Sequence, residues 1–303
     1  MTTRLPLCAI IVLAFVASVL ARAALREPDD AAVLPPENAQ RIISMAPSAT
    51  ETLFALGLGD RVVGVTRYCD YPPEATERPQ IGGYHNPNFE AVVSLRPDLV
   101  VLLEGSASSR ESFAKLGIPV LEVCHKSLDG ILDSMRTIGR ATGSLDRAEE
   151  MVAQIETRMH EIRQKTDGLP QPRVMVVLDR TLGNGKIQNA YVAGADGHLD
   201  RMVELAGGQN ACPPTAARFP VVSSEGMLRI NPEVIIDLVS EIAASELDRA
   251  TIEADWQQLD RIDAVRQGRV YVVDAEYATV PGPRFIRAVE DFARLLHPEV
   301  EWQ

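Results

Sequence analysis

Aromatic residues make up only 5% of this 303-residue chain, which also holds just four cysteines and five histidines. No Cys-x-x-Cys occurs and no His-rich tract, so the usual frameworks for structural zinc are missing. Neither G-x-S-x-G, G-x-x-x-x-G-K-[ST] nor H-E-x-x-H occurs, which removes the signatures of serine hydrolases, P-loop NTPases and zinc peptidases. Gly183-Asn-Gly-Lys186 lacks the length and the hydroxyl residue of a phosphate loop and reads as a turn. Positive charge is also short: 30 Lys and Arg against 42 Asp and Glu give a formal charge of −12. That balance argues against nucleic acid or anionic lipid as a partner.

Only one long apolar run is present, from Leu5 to Ala21. It follows Arg4 and ends in Ala21-Arg22-Ala23, a small-x-small cleavage pattern, so residues 1–23 are expected to be an export signal. An uncleaved anchor is the alternative, since the run is near the lower length for a bilayer span. Cys8 is the only cysteine nearby and precedes most of the run, so no lipidation site follows it. The mature chain is expected to be soluble, monomeric and periplasmic. Losing Arg4 and Arg22 and no acid takes its charge from −12 to −14. Cys69, Cys124 and Cys212 would remain; Cys69 and Cys124 each follow a strand-like run of one lobe, and a disulfide between them is left open.

At this length two domains are the prior. Residues 24–39, charged and Pro-containing, read as a flexible lead-in. Short strands and helices then alternate over 40–143, giving an α/β lobe with a mainly parallel sheet. Residues 144–168 differ: Ala148, Met151, Ile155, Met159 and Ile162 recur at three- and four-residue steps, predicting one long amphipathic helix. A second α/β lobe occupies 169–303. One stiff helix between two lobes allows limited closure, so the cleft is expected to be largely preformed.

The lobes carry a repeat. Glu90-Ala-Val-Val-Ser-Leu-Arg-Pro97-Asp and Glu225-Gly-Met-Leu-Arg-Ile-Asn-Pro232-Glu lie 135 residues apart, and each is followed by an apolar run. Glu favours a helix's first turn and Pro ends a helix, so each copy reads as short helix, stop, strand. Tyr68, Tyr71, Tyr84, Tyr191, Phe219 and Tyr277 fall in loops, where a few aromatics together suggest a pocket wall. His160 and His297 are expected in solvent. His85 and His125 follow strands of the first lobe and can face a cleft, a surface or capping role being the plainer expectation.

Arg41-Ile-Ile-Ser-Met-Ala-Pro-Ser-Ala-Thr-Glu51, Gly64-Val-Thr-Arg-Tyr-Cys-Asp-Tyr-Pro-Pro73, Asn88-Phe-Glu-Ala-Val-Val-Ser-Leu-Arg-Pro-Asp-Leu-Val101, Leu116-Gly-Ile-Pro-Val120 and Gly282-Pro-Arg284 resemble the signatures of periplasmic binding proteins for cobalamin, ferric siderophores and haem. The resemblance covers roughly residues 40–297 and implies two Rossmann-like lobes joined by one long helix. It implies a non-catalytic protein that holds a metal chelate between the lobes and docks on the permease of an ATP-driven importer through one glutamate per lobe. Those glutamates correspond to Glu90 and Glu225. A helix-terminus preference alone is the plainer account of either, but it does not require matched spacing on both lobes.

The chain is most similar to the cobalamin branch, through the Tyr68-Cys-Asp-Tyr-Pro-Pro loop. That likeness implies ligand contacts from Tyr68, Tyr84, Tyr191, Phe219 and Tyr277; His85 and Arg284 join the expected ligand set through the haem and siderophore binders, with no cofactor and no resident metal. Tyr84 and Phe219 stand where the branch has Trp, which reduces the surface offered to a corrinoid. Tyr84-His85 suits iron, and Arg67, Lys126 and Arg284 suit carboxylates, so haem and siderophore remain alternatives. A metal-dependent exported enzyme would instead gather His85, His125, Cys69 and Cys124. A bare zinc or manganese binder is disfavoured by the missing His-rich loop.

Overall fold

Short β-branched runs build the first sheet. In the computed structural model, which describes residues 36–195, 197–215, 217–239, 247–274 and 276–302, these are β1 (Ile42–Ser44), β2 (Val62–Val65), β3 (Leu99–Leu103) and β4 (Val120–Val123). They lie in the order β2-β1-β3-β4, all parallel. Helices α1 (Pro47–Ala55), α2 (Phe89–Ser94) and α3 (Ala107–Lys115) alternate with them. The expected signal segment lies outside the described residues. Of the expected lead-in, only 36–39 is described, and its end is not free: Ala39 is fully buried and its N–H donates to the Ala141 carbonyl at 3.1 Å.

Two helices then connect the sheets. α4 (Leu128–Ala141) is capped by Ser127, whose Oγ accepts the Gly130 N–H at 3.1 Å, and it buries Leu128, Ile131, Leu132, Met135 and Ile138 on one face. α5 (Leu145–Thr166) is the predicted linking helix, 22 residues and so about 33 Å long. A Cβ at Gly139 would lie 2.6 Å from the Ala148 Cβ, so glycine is required where the two helices meet. Arg136 of α4 reaches Glu149 and Glu156 of α5 at 3.0 and 3.2 Å. Ala148 belongs to the first lobe's core; Val152, Ile155 and Ile162 belong to a core cluster that contains the second sheet. α4 divides in the same way, with Ile138 in the first core and Leu128 to Met135 in the second. The lobes are thus joined by a helical hairpin embedded in both cores, a stiffer link than a single helix.

The second sheet contains β5 (Arg173–Arg180), β6 (Asn189–Val192), β7 (Gln209–Asn210), β8 (Val221–Ser223), β9 (Val234–Leu238) and β10 (Val270–Val273). Its path is β10-β9-β5-β6-β8; the β10-β9-β5 part is parallel and β6 and β8 are antiparallel additions. Around it lie α6 (His198–Leu205), α7 (Ser224–Ile230), α8 (Arg249–Ala254), α9 (Asp263–Arg266) and α10 (Phe285–Leu296). His297, expected in solvent, is only 1% exposed: the tight Gly207 turn packs on its ring, and its Nε2 lies 3.2 Å from the Gly207 carbonyl.

The repeat is matched in detail. α2 and α7 begin with side-chain caps, Asn88 accepting from Ala91 N and Ser223 from Gly226 N. Each ends through a left-handed residue just before its proline, Arg96 at φ 47° and Asn231 at φ 45°. The first strand of each lobe then ties the module down. Arg41 donates to the Leu95 and Arg96 carbonyls, and Arg173 to those of Ile230 and Asn231. The acid after each proline accepts the same arginine's backbone N–H, Asp98 at 2.9 Å and Glu233 at 2.8 Å. Helix, stop and strand follow as expected, and the arginine pair supplies donors to the last carbonyls of each helix.

Candidate functional site

In open α/β sheets, ligands are received beyond the carboxyl ends of parallel strands. In the first lobe those ends lead into Met45–Ser48, Thr66–Asp70, Glu104–Ser106 and Cys124–Lys126. Tyr68 is 54% exposed there, with the Arg67 guanidinium 5.8 Å from its ring centroid. Tyr84 is partly buried against the core; its hydroxyl donates to the Leu103 carbonyl at 3.3 Å and pairs with Ser106 Oγ. His85 stands edge-on to it at 4.8 Å between centroids. A cavity of about 300 Å³ lies among Tyr84, His85, Glu104, Ser106 and Ser109. Across it Lys126 holds Glu104 at 2.7 Å, which lowers the carboxyl and raises the ammonium.

The second lobe answers with Tyr191, 48% exposed on β6, and Phe219, 40% exposed in the loop before β8. Phe219 meets His198 edge-on, 6.5 Å between centroids, and Arg218 lies along Gly197 beside the same imidazole. His198 opens α6, and its imidazole is electrostatically coupled to His125 of the first lobe. His125 Nδ1 is 3.0 Å from Ser48 Oγ. Burial pushes both imidazoles down to about 4; His198 adds to the effect on His125, and Arg218 to that on His198. Both are therefore neutral near pH 7, and His198 Nδ1 is buried without a partner.

Two expected ligand residues have acidic partners within the protein. Tyr277 donates to Asp291 at 2.5 Å; burial, and then this acceptor, push its hydroxyl up to about 12. Arg284 holds Glu51 of α1 through Nε and Nη2 at 2.9 and 2.5 Å and lies 3.5 Å over the Tyr71 ring. Its guanidinium thus joins the lobes. Glu51 is 3% exposed, and burial outweighs the arginine, raising its carboxyl above the ordinary range. Beside this junction is a cavity of about 500 Å³ bordered by Phe54, Tyr71, Arg78 and Pro283.

The thiols do not converge. Cys69, Cys124 and Cys212 are free, so the disulfide left open above is not formed. Cys69 is buried with Sγ 3.2 Å from Thr66 Oγ1, and burial pushes its thiol up. Among the described residues no three or more His, Cys, Asp or Glu side chains are grouped to hold a metal ion. The donor set of the enzyme alternative is therefore not assembled. Arg218, His198 and Glu51 escape the pattern of loop aromatics; the only sequence cue to Arg218 is its place beside Phe219. Glu90 and Glu225 stand exposed in the first turns of α2 and α7, without an ion pair among the described residues.

Two lobes on a shared helical hairpin, with a cleft lined from both sides, define a class of solute receptor. The model of the periplasmic binding protein family matches residues 42–277, and the chain belongs to that family. It is 32% identical over 267 residues to the ABC transporter substrate-binding lipoprotein YvrC of Bacillus subtilis, covering 86% of this chain and 81% of that one. The structure of the periplasmic vitamin B12 binding protein BtuF of Vibrio cholerae is similar, with a TM-score of 0.71 at 28% identity, covering 86% of this chain and 98% of that one. So is the periplasmic heme-binding protein RhuT of Roseiflexus sp. RS-1 in apo form, with a TM-score of 0.72 at 26% identity, covering 86% and 99%. The family is one of substrate-binding proteins. Among the described residues no helix is long and apolar enough to cross a membrane.

Proposed function

We propose that this protein captures a corrinoid or a related metal chelate between its lobes, without catalysis, and delivers it to an ATP-driven importer. The observation that carries the reading is that each lobe exposes large aromatic rings, Tyr68 in the loop after β2 of one and Tyr191 on β6 and Phe219 in the loop before β8 of the other. Flat apolar rings on a rigid frame suit a flat macrocycle at little entropic cost. Tyr84 and His85 extend that wall. Tyr277 and Arg284 act behind it, Arg284 by fixing the separation of the lobes. Glu90 and Glu225 are the docking points for the permease, because the same module presents each at the same place on its lobe. The protein acts as an exported monomer.

Titration of the purified mature chain with cobalamin, cobinamide, haem and ferric siderophores, followed by absorbance and calorimetry, tests this. Saturable one-to-one binding of a corrinoid supports the reading. Binding of haem or a siderophore with no corrinoid response moves the cargo to the second reading, which Tyr84-His85 and the exposed Arg67 favour. No response to any chelate ends both.

A further inference from the structure

Chelate capture uses the carboxyl ends of the strands and leaves the cavity of about 500 Å³ on the flank of α1 without a role. None of the cleft aromatics Tyr68, Tyr84, Tyr191 and Phe219 borders it. α1 starts beside the cleft, just after β1, and is followed by Gly57, Gly59 and Asp60, which lead to the amino end of β2. The cavity follows the helix from Glu51 to those residues, so it runs from the lobe junction toward the end of the first sheet remote from the cleft. Of its bordering residues, Pro283 and Arg284 come from the second lobe.

Two arginine–aromatic pairs stand in its wall, and only one of them is compensated. Arg284 lies 3.5 Å over the Tyr71 ring and gives Nε and Nη2 to the Glu51 carboxylate. Arg78 lies 5.9 Å from the Phe54 ring centroid, donates no side-chain hydrogen bond among the described residues, and has its Nε buried without a partner. Asp60 is 3.7 Å from Arg78 Nη2, but its side chain is fully exposed, so water screens the pair; Glu74 is exposed on the rim. The position of Arg78 is fixed by a turn, its N–H donating at 3.1 Å to the carbonyl of the fully buried Ala75. A guanidinium with five donors and no acceptor, beside an aromatic ring, is suited to an oxyanion. The rest of the wall is apolar and stiff, from Phe54, Tyr71, Pro72 and Pro283. Glycines keep it open: a Cβ at Gly59 would lie 2.8 Å from the Phe54 ring, and one at Gly282 would lie 2.9 Å from Glu51 Oε2.

We propose that this flank cavity is a second binding site, for an amphipathic monocarboxylate of about 10–20 non-hydrogen atoms. Its carboxylate pairs with Arg78, and its apolar body lies against Phe54, Tyr71 and Pro283. The charge gives orientation, and burial of the body against rigid rings gives affinity. Because Pro283 closes one end, the occupant packs on both lobes beside the Glu51–Arg284 junction. The site is separate from the cargo cleft and does not depend on which chelate the cleft takes.

Phenylacetate, 4-(trifluoromethyl)phenylacetate and octanoate, each with its amide as the neutral partner, are titrated into the full mature chain without chelate. Binding is read from the Arg78 Nε–H signal in proton–nitrogen NMR, assigned by its loss in Arg78→Met, and from fluorine NMR for the trifluoromethyl pair. At least one carboxylate should bind saturably and shift the Arg78 signal, its amide should bind about tenfold more weakly, and Arg78→Met should lower its affinity by a similar factor. Arg78→Lys, which keeps the charge without the fork, should restore part of that loss. Should Arg78→Met fail to fold, the comparison of acid with amide in the wild type decides. No saturable binding by any of the three acids, equal binding of acid and amide, or binding unaltered in a folded Arg78→Met overturns the proposal. Displacement of the acid by a chelate that binds the cleft would place it there and also overturns the proposal. Failure of every chelate to bind ends the cargo reading and leaves this test intact.

Discussion

In the first lobe the Glu-to-Pro module feeds one of four parallel strands, whereas in the second it feeds a six-stranded sheet with an antiparallel edge. The module itself is conserved between them to the level of an arginine on the first strand, a left-handed residue before proline and an acid after it. What differs is how each lobe holds its cleft loops. The first relies on short ties such as Tyr84 to Ser106 and Ser48 to His125. The second buries a charge cluster: Arg180 spans Asp237 and Asp255, both at 2.7 Å, and Asp255 accepts the N–H groups of Gly183 and Gly185. Like modules present Glu90 and Glu225 at matching places; unlike loops carry the aromatic and histidine side chains of the cleft.

The largest break in that comparison is Arg180→Met, which strands two buried carboxylates in the second lobe. It should cost about 3–5 kcal/mol in denaturant unfolding. A loss below about 1 kcal/mol would mean that water already reaches the cluster.

Cutting the junction instead, by Glu51→Ala, leaves Arg284 with Glu276 at 3.7 Å and the rings of Tyr71 and Tyr277. About 2 kcal/mol of stability should be lost, with a wider spread of lobe separations by small-angle scattering. Unchanged scattering would make the pair dispensable to lobe spacing.

Acid should weaken the fold through the two buried imidazoles instead. His125 and His198 titrate at about 4 in the fold against an ordinary 6.5, so the unfolded chain takes up protons first as pH falls. Stability is therefore complete above pH 6.5 and is lost between about 6.5 and 4. A unfolding-versus-pH profile should flatten in that window in His125→Gln and His198→Gln; an unaltered slope would assign it to other groups.

The smallest effect on the fold should come from Glu90→Ala with Glu225→Ala. Both residues are exposed, so stability should change by less than about 0.5 kcal/mol and ligand affinity not at all, while stimulation of a reconstituted importer falls. A loss of ligand binding would place these glutamates in the pocket.

Much of this frame was readable from periodicity. The strand Val62–Val65 and the long helix over Leu145–Thr166 follow from local apolar patterning, and the two Glu-to-Pro copies from spacing. α4 carries the same helical pattern at Leu128, Ile131, Leu132, Met135 and Ile138, yet its part in the hinge depends on which faces meet, which spacing does not encode. The strands β6 and β8 are short and antiparallel, β6 held by pairing with β5 and β8 by pairing with β6 rather than by propensity. The partner of Arg284 is not legible because a guanidinium in a loop suits a ligand carboxylate as well as a protein one; only the fold brings Glu51 to it across 233 positions. His198 and Arg218 became visible only when the lobes were set face to face.

The central claim is that cargo touches the unlike loops of both lobes and leaves the matched modules untouched. Hydrogen–deuterium exchange of the mature chain with and without cyanocobalamin reads this directly. Protection is predicted over 66–71, 84–85, 104–106, 124–126 and 217–220, with no change over Phe89–Ser94 and Ser224–Ile230. Protection confined to one lobe, or falling on the two short helices, would contradict it.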